Sequence, residues 1–171
     1  MIHVKRAELE HVEGIQRVCC EGCRAAYRGL QEDAYIERNN RYWYNETRIK
    51  DELEESERWD GYYVAVENGE VVGAIGGGLT GEAESEVYVL YLDPARRGEG
   101  IGTMLLETLT HVQQLKGSRR QWVSVAKGNQ KGIPFYESRG FQFVAEKPSF
   151  SNQEGDDYRS FRYAREIGEE S

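Results

Sequence analysis

The sequence predicts an α/β fold, a mixed and mostly antiparallel sheet flanked by helices, and three observations lead to this prediction. Residues 87–92 are apolar or aromatic, as in a central strand, and a glycine-rich segment and an amphipathic stretch follow them. Asn68-Gly69 separates two β-rich runs, which is a strong hairpin signal. Further strand and helix patterns alternate towards the carboxyl end. The length of 171 residues fits one domain with a substantial core.

The first third of the chain predicts one strand followed by helical segments. Residues 2–6 form a short strand pattern. From residue 9 to about residue 28, apolar side chains recur at helical spacing, and Gly29 is placed to end that helix. Residues 33–57 are charged and carry several aromatic side chains, which predicts a second helical stretch with one aromatic face.

The middle of the chain predicts three consecutive strands and a long helix. Residues 62–67 and 71–78 flank the Asn68-Gly69 turn. The second run contains four glycines without a following helix, so we expect a bulge or a close backbone approach there rather than a nucleotide loop. Residues 82–86 are expected to turn into the strand 87–92. The helix 101–115 has one continuous apolar face, and Gly117 ends it.

The last third predicts a strand at 121–126, a short helix at 130–138, a strand at 141–146 and a final strand near 158–164. The loop 148–157 is polar, and we expect it to be mobile. We assign residues 1–165 to one domain and expect the tail, 166–171, to fray. The predicted order is therefore β-α-α-β-β-β-α-β-α-β-β.

Composition excludes some classes of partner. The net charge of −8 argues against nonspecific binding to nucleic acid. Only 39% of the residues are hydrophobic, and no apolar run is long enough to span a membrane. The first ten residues contain no apolar leader region. We therefore expect no nucleic-acid partner, no membrane partner and a cytoplasmic location.

The three cysteines, Cys19, Cys20 and Cys23, lie close together in the first predicted helix. Cys20 and Cys23 have the spacing of a metal or redox pair, but no second pair of cysteines or histidines with suitable spacing completes a zinc site. Cys19 and Cys23 share the apolar helical face, so we expect small core residues and no metal. An odd number of clustered thiols fits a reducing compartment.

The segment Arg97-Gly98-Glu99-Gly100-Ile101-Gly102, between the central strand and the long helix, predicts a phosphate site. Glycines let the backbone turn tightly beside a ligand, and the first amides of a helix bind anions. No Lys-Ser or Lys-Thr follows, so this is not an ATP-binding P-loop, and the glycine spacing does not match a dinucleotide fingerprint. A plain strand-to-helix connection is the alternative.

Two motifs carry a resemblance to a known family. Arg97, Gly100 and Gly102 fit the pattern [RQ]-x-x-G-x-[GA], which resembles the acetyl-CoA loop of the GNAT N-acetyltransferase superfamily. Residues 129–141 resemble its N-x5-F-Y-E-x-x-G-F segment. The simpler interpretation makes the aromatic pair in this second segment part of the core. The predicted order of elements is also the GNAT order, so the resemblance covers nearly the whole chain.

The resemblance implies acetyl-CoA as co-substrate and direct acetyl transfer to a primary amine, with no metal. The implied pyrophosphate contacts are Arg97 and the amides of Gly98, Glu99, Gly100, Ile101, Gly102 and Thr103. The backbone of Leu90 and Leu92 and the side chain of Asn129 are implied to meet the pantetheine arm, and Tyr136 to protonate the departing thiolate. Pro134 is tolerated only in a first helical turn, so the helix before Tyr136 should start late.

Glu86 has two interpretations, one of which makes it the base for the acceptor amine. Glu86 lies at the spacing at which histone-directed members of the family carry a glutamate base, and a regular strand would put it on one face with Tyr88, Leu90 and Leu92. Alternatively, it is a carboxylate exposed at a strand edge. Members that acetylate ribosomal-protein N-termini carry a glutamate where this chain has Ser124, which weakens that substrate class.

The acceptor is expected to be a small-molecule or peptide amine. In the family, the 30–60 region and the 148–157 loop form the acceptor pocket, although a solvated helix fits residues 33–57 equally well. Their acids and aromatics, Asp33, Tyr35, Glu37, Asp156 and Asp157, suit a cation. Family members are often dimers, so a homodimer is compatible with the resemblance. The alternative functions are a non-catalytic CoA-binding sensor and, more remotely, a kinase or dehydrogenase.

Overall fold

The computed structural model describes residues 1–168, and its central feature is one seven-stranded sheet with the strand order β1-β2-β3-β4-β5-β7-β6. The strands are β1 (His3–Arg6), β2 (Tyr62–Glu67), β3 (Glu70–Gly81), β4 (Glu84–Leu92), β5 (Arg120–Ala126), β6 (Gln142–Pro148) and β7 (Arg159–Glu166). The helices are α1 (Val12–Tyr27), α2 (Asp33–Trp43), α3 (Glu46–Asp51), α4 (Ile101–Leu115) and α5 (Gly132–Glu137). Only β4 and β5 pair in parallel, so the predicted mixed, mostly antiparallel sheet is confirmed.

The helices cover the two faces of the sheet and bury two clusters of apolar side chains. Helices α1, α2 and α3 pack on one face, where Cys19 and Cys23 are core residues, as predicted from their helical face. Helices α4 and α5 pack on the other face. Within the part of the chain that the structure describes, all three cysteines are free thiols.

The hairpin between β2 and β3 forms at the predicted turn. Asn68 and Gly69 both have positive φ, at 51° and 78°, which is the backbone of a two-residue turn matched to the strand twist. Strand β3 then lies unusually close to its surroundings, since a Cβ on Gly77 would collide with the carbonyl oxygen of Glu86 in β4. The predicted close approach is confirmed, and bulges interrupt the β3–β4 pairing as well.

Several element boundaries differ from the prediction. The helical stretch 33–57 breaks near Tyr44, because Asn45 accepts a hydrogen bond from the Arg48 amide at 2.9 Å and caps a separate helix, α3. Residues 84–86 are not a turn but the start of β4. Strand β7 continues through Glu166, and Ile167 is buried, so ordered structure passes the expected domain boundary. The rest of the predicted tail, residues 169–171, lies outside the described residues.

A buried polar network ties β4 and β5 to the carboxyl-terminal half of α4. Gln113 is fully buried, accepts from the Ser85 hydroxyl and the Gln121 amide at 2.9 Å each, and donates to Asp60 at 3.2 Å. Asp60 is 1% exposed and pairs with the Lys116 ammonium at 2.7 Å. Because these buried groups satisfy one another's hydrogen bonds, the network holds β4 and β5 together at this point.

Candidate active site

The candidate site lies where β4 and β5 separate. The two strands pair only over residues 84–87 and 120–123, and beyond Val87 and Val123 no pairing joins them. We call this point of separation the fork. A cleft of about 180 Å³ opens there, lined by residues of α1, β4, the glycine-rich loop, β5 and α5. A ligand in the cleft therefore contacts two strand edges, a helix N-terminus and α5 together.

A β-bulge at Tyr88 changes which way the β4 side chains point. Val87 pairs with Gly77 and Val89 with Gly76, so Tyr88 is an extra residue in β4. As a result, Leu90 and Leu92 pack against the α4 face, whereas Glu86 lies on the opposite face. The expectation that Glu86 shares a face with Leu90 and Leu92 is therefore wrong, because that expectation assumed an unbroken strand.

The backbone of Leu90 and Leu92 is directed towards the gap between β4 and β5. The Asp93 amide donates to the Val72 carbonyl at 2.9 Å, and the bonded pairs of an antiparallel ladder alternate along the strand. Leu92 and Leu90, which face Gly73 and Ile75, therefore fall at positions whose N–H and C=O groups point away from β3. These groups are available to an added strand-like ligand.

The glycine-rich loop ends in a helix N-terminus without a side-chain cap. Gly98 and Gly100 have φ of 80° and 79°, and Gly100 is the N-cap of α4. Within residues 1–168, the amides of residues 98–103 have no hydrogen-bond acceptor. Arg97 borders the cleft and forms no salt bridge with the described residues. The loop therefore presents free amides and one cation, which is the arrangement that binds phosphates.

The other side chains of this loop are structural. Arg96 donates to both carboxylate oxygens of Glu99 at 2.8 Å and also pairs with Glu67 at 2.9 Å. The hydrogen bond from Arg96 lowers the pKa of Glu99. Ile101 is 1% exposed and belongs to the core. The side chains of Glu99 and Ile101 are thus engaged within the protein, and their amides are left without an acceptor among the described residues.

The start of α4 packs directly on α5. A Cβ on Gly102 would lie 3.1 Å from the Phe135 ring, and Thr103 accepts a hydrogen bond from Arg139. Arg139 in turn donates to the Phe135 carbonyl at 2.8 Å and stacks on the Phe135 ring. These contacts hold the free amides of α4 next to the helix that carries Tyr136.

Tyr136 lines the cleft from α5. Its ring is 8% exposed and meets the rings of Phe135 and Phe141 edge-on, with centroids 5.1 and 5.3 Å away. Its hydroxyl has no hydrogen-bond partner among the described residues. Burial raises the pKa of Tyr136, so the hydroxyl keeps its proton at neutral pH.

Asn129 lines the cleft but also has a structural task that the sequence did not predict. Its side-chain oxygen accepts from the amides of Lys131 at 3.3 Å and Gly132 at 2.9 Å, and so caps the turn that leads into α5. Helix α5 begins at Gly132 rather than at residue 130, which agrees with the late start expected from Pro134.

Glu86 is held by an arginine that sequence reasoning missed. Arg162 of β7 donates to both carboxylate oxygens of Glu86, at 2.6 and 3.1 Å, and to the Ser124 hydroxyl at 2.7 Å. The Glu86 side chain is only 13% exposed. Glu86 is therefore not a carboxylate exposed at a strand edge. No local pattern pointed to Arg162, because 76 residues separate the two partners.

The expected acceptor region is arranged differently from the prediction. The loop 148–157 is fastened to α2: Arg38 donates to Asp156 at 2.7 Å, and Tyr35 donates to Asn152 at 3.0 Å. Glu37 is engaged by Arg24. Asp156 and Glu37 are thus neutralised by arginines, and Tyr35 is buried, so these three residues do not form an open patch that attracts a cation. The other two expected acids, Asp33 and Asp157, are exposed.

Potential metal ligands and membrane-spanning helices are the last features considered within residues 1–168. The only group of three metal-ligating side chains found there is Glu8, Glu10 and His11, a largely exposed cluster at the start of α1, apart from the cleft. In the same range, no helix has both the length and the apolarity needed to cross a bilayer.

Comparisons with known proteins agree with this geometry. The family model described as acetyltransferase (GNAT) family matches residues 24–141. An uncharacterised N-acetyltransferase of Methanocaldococcus jannaschii is 30% identical over 125 residues, covering 68% of this chain and 52% of the relative. A mycothiol acetyltransferase of Amycolatopsis mediterranei is 33% identical over 132 residues, covering 66% of this chain and 43% of the relative. The chain thus spans about half the length of the curated relatives it matches.

Solved structures show the same fold. The PaiA N-acetyltransferase of Thermoplasma acidophilum, crystallised with coenzyme A, superposes with a TM-score of 0.80 at 22% identity, covering 97% of this chain and 99% of that one. The family match extends over more than half of the chain and includes the fork, the glycine-rich loop and α5. The chain therefore belongs to the GNAT acetyltransferase family.

Proposed function

We propose that the protein is an acetyl-CoA-dependent N-acetyltransferase that transfers an acetyl group directly to a primary amine. The observation that carries this proposal is the cleft at the fork, where unpaired strand backbone, free helix amides and a buried tyrosine hydroxyl border one space. A phosphate site alone would also fit a nucleotide. The unpaired backbone of β4 favours a ligand with an extended amide chain, which CoA has in its pantetheine arm.

The residues of the cleft fit CoA in three places. The free amides of residues 98–103, with Arg97, suit the pyrophosphate, since phosphates bind at helix N-termini. The outward backbone groups of Leu90 and Leu92 suit the amides of the pantetheine arm. Asn129 uses its oxygen for capping, so its side-chain nitrogen is the group left to donate to that arm.

The reaction requires one bond to form and one to break. The amine nitrogen attacks the thioester carbonyl, and a backbone amide of β4 near the bulge is suited to donate to the oxyanion. The C–S bond then breaks, Tyr136 donates its proton to the leaving sulfur, and the surplus proton of the attacking nitrogen passes through solvent back to Tyr136. Glu86 lies near the fork, with Arg162 on one side of its carboxylate, and its remaining lone pairs can hold the ammonium form of the acceptor and accept its proton.

We also propose that the protein is located in the cytoplasm. Three free thiols and no disulfide among the described residues fit a reducing cytoplasm.

The first experiment is a calorimetric titration of the purified protein with acetyl-CoA, with ATP and NAD as control ligands. We expect micromolar binding of acetyl-CoA alone. Arg97→Ala should weaken it, whereas Arg119→Ala, an exposed arginine beyond the opposite end of α4, should not. Clear binding of ATP, or no binding of acetyl-CoA, would contradict the proposal.

The second experiment measures thiol release with a broad panel of amines. Turnover of any amine supports the transferase. Tight acetyl-CoA binding without turnover across the panel would instead favour the non-catalytic CoA-binding sensor.

A further inference from the structure

The guanidinium of Arg162 has hydrogen-bonding capacity that the protein does not use. Arginine has five N–H donors, and Arg162 binds Glu86 through its two terminal nitrogens and Ser124 through Nη1. Its Nε, and the second N–H of Nη2 on the same edge, have no acceptor among the described residues. Arg24 and Arg96 differ, because they bind Glu37 and Glu99 with this same Nε and Nη2 edge.

Arg162 adjoins the cleft through its partner Ser124. Ser124, which accepts from Arg162, lines the cleft, and it follows the last residue of β5 that is paired with β4. Glu86 is the next-to-last paired residue of β4. Arg162 also stacks on the Trp122 ring, with its guanidinium carbon 5.0 Å from the ring centroid. The guanidinium is thus fixed in place, on the face opposite α4, and 25% of its side chain is exposed.

Charge balance at this point restricts the acceptor. Glu86 and Arg162 together are neutral and largely withdrawn from water, and an uncompensated charge beside such a pair is costly. A simple alkylammonium ion would add one positive charge next to Arg162. A molecule that carries both an ammonium and a carboxylate adds none, because the ammonium faces Glu86 and the carboxylate faces the unused edge of Arg162.

We infer that the acceptor is a zwitterion, an amino acid whose amine is acetylated, and that Arg162 determines this specificity by binding the acceptor carboxylate through Nε and Nη2. This inference rests on the proposed function. Arginine suits the task because its planar fork binds a carboxylate with two parallel hydrogen bonds, which lysine cannot do. Arg162 acts as a specificity-determining residue and takes no part in the proton transfers.

The test compares acceptors that differ only in the carboxylate. The twenty common amino acids and several ω-amino acids are assayed beside their carboxamides and decarboxylated amines, by thiol release at saturating acetyl-CoA. We expect at least one amino acid to have a kcat/KM tenfold or more above both of its counterparts. Arg162→Met should reduce that ratio to near one, mainly through KM, and Arg162→Lys should restore it only in part.

Controls separate this inference from folding and from the proposed function. Arg159→Met removes an exposed arginine of the same strand, paired with Glu146, and should leave the ratio unchanged. Calorimetric binding of acetyl-CoA by Arg162→Met shows that the variant is folded. Equal rates for amino acids and their carboxamides, turnover only of amines without a carboxylate, or an unchanged ratio in Arg162→Met would overturn the inference and leave the transferase intact. Acetyl-CoA binding without turnover of any amino acid would also overturn it, whereas loss of acetyl-CoA binding by the native protein would remove the proposed function itself.

Discussion

Replacing Tyr136 by phenylalanine should remove a proton donor while leaving the fold nearly unchanged. The ring is 8% exposed and packs edge-on against Phe135 and Phe141, and phenylalanine keeps both contacts. The hydroxyl has no partner among the described residues, so we expect the free energy of unfolding to change by less than about 1 kcal/mol. Truncation to alanine would instead cost about 3–5 kcal/mol.

The expected effect on turnover is much larger. Losing a general acid lowers a rate by about 10²–10⁴-fold, and we expect kcat to fall at least about tenfold. Since burial raises the pKa of Tyr136 above its ordinary value of 10.0, the native hydroxyl should stay protonated across the neutral and mildly alkaline range. Ionisation of Tyr136 should therefore cause no loss of rate in that range.

The assay is thiol release with both substrates saturating, together with urea unfolding. Tyr163→Phe is the matched control, because Tyr163 is 2% exposed in the same core and its hydroxyl contacts Glu137 at 3.4 Å. That variant should keep native turnover. Full activity in Tyr136→Phe would refute the reasoning and assign the protonation to water.

Three further predictions concern the fork, the loop and the buried network. Glu86→Gln should lower kcat much more than acetyl-CoA affinity, since Glu86 lies on the face opposite α4. If kcat of the native protein stays constant from roughly pH 6 to pH 9, Glu86 is not the base. Gly100→Ala should cost about 1 kcal/mol of stability in urea melts, because φ is +79° there, and should weaken acetyl-CoA binding in calorimetry. Lys116→Met leaves the 1%-exposed Asp60 without its ion-pair partner and should lower the free energy of unfolding by about 3 kcal/mol at neutral pH. Burial opposes ionisation of Lys116, but the hydrogen bond from Lys116 to Asp60 outweighs it, so the pKa of Lys116 is raised. The stabilisation should therefore be present at neutral pH and should be lost as the pH rises through that raised pKa. Equal urea midpoints for the native protein and Lys116→Met at neutral pH would contradict this prediction.

Features set by short-range patterns could be predicted from the sequence. The turn at Asn68-Gly69 follows from the positive φ that those two residues tolerate. The bounds of α4 match the predicted 101–115 because a glycine precedes the helix and another ends it. The short helix before Tyr136 starts late because proline fits only a first turn. The break between α2 and α3 was missed, although Asn45 offered a readable cap signal.

Features set by distant contacts could not be predicted. The bulge at Tyr88 depends on how β3 is seated against β4, and it reverses the facing of Leu90 and Leu92 relative to Glu86. The partner of Glu86 comes from β7, two strands away in the sheet. Side-chain alternation along one strand contains no information about either event, because both arise only when separate strands meet.

The unpaired edges at the fork have a consequence for how the empty protein behaves. Exposed strand edges usually recruit other chains and promote aggregation, but here the unpaired edges of β4 and β5 face each other across a cleft in the middle of the sheet and do not lie at its rim. Unpaired strand N–H and C=O groups can therefore persist here without promoting aggregation. In amide hydrogen exchange, the ligand-free protein should show rapid exchange at Leu90 and Leu92 and slow exchange at Tyr91 between them, an alternation that disappears when a ligand fills the gap.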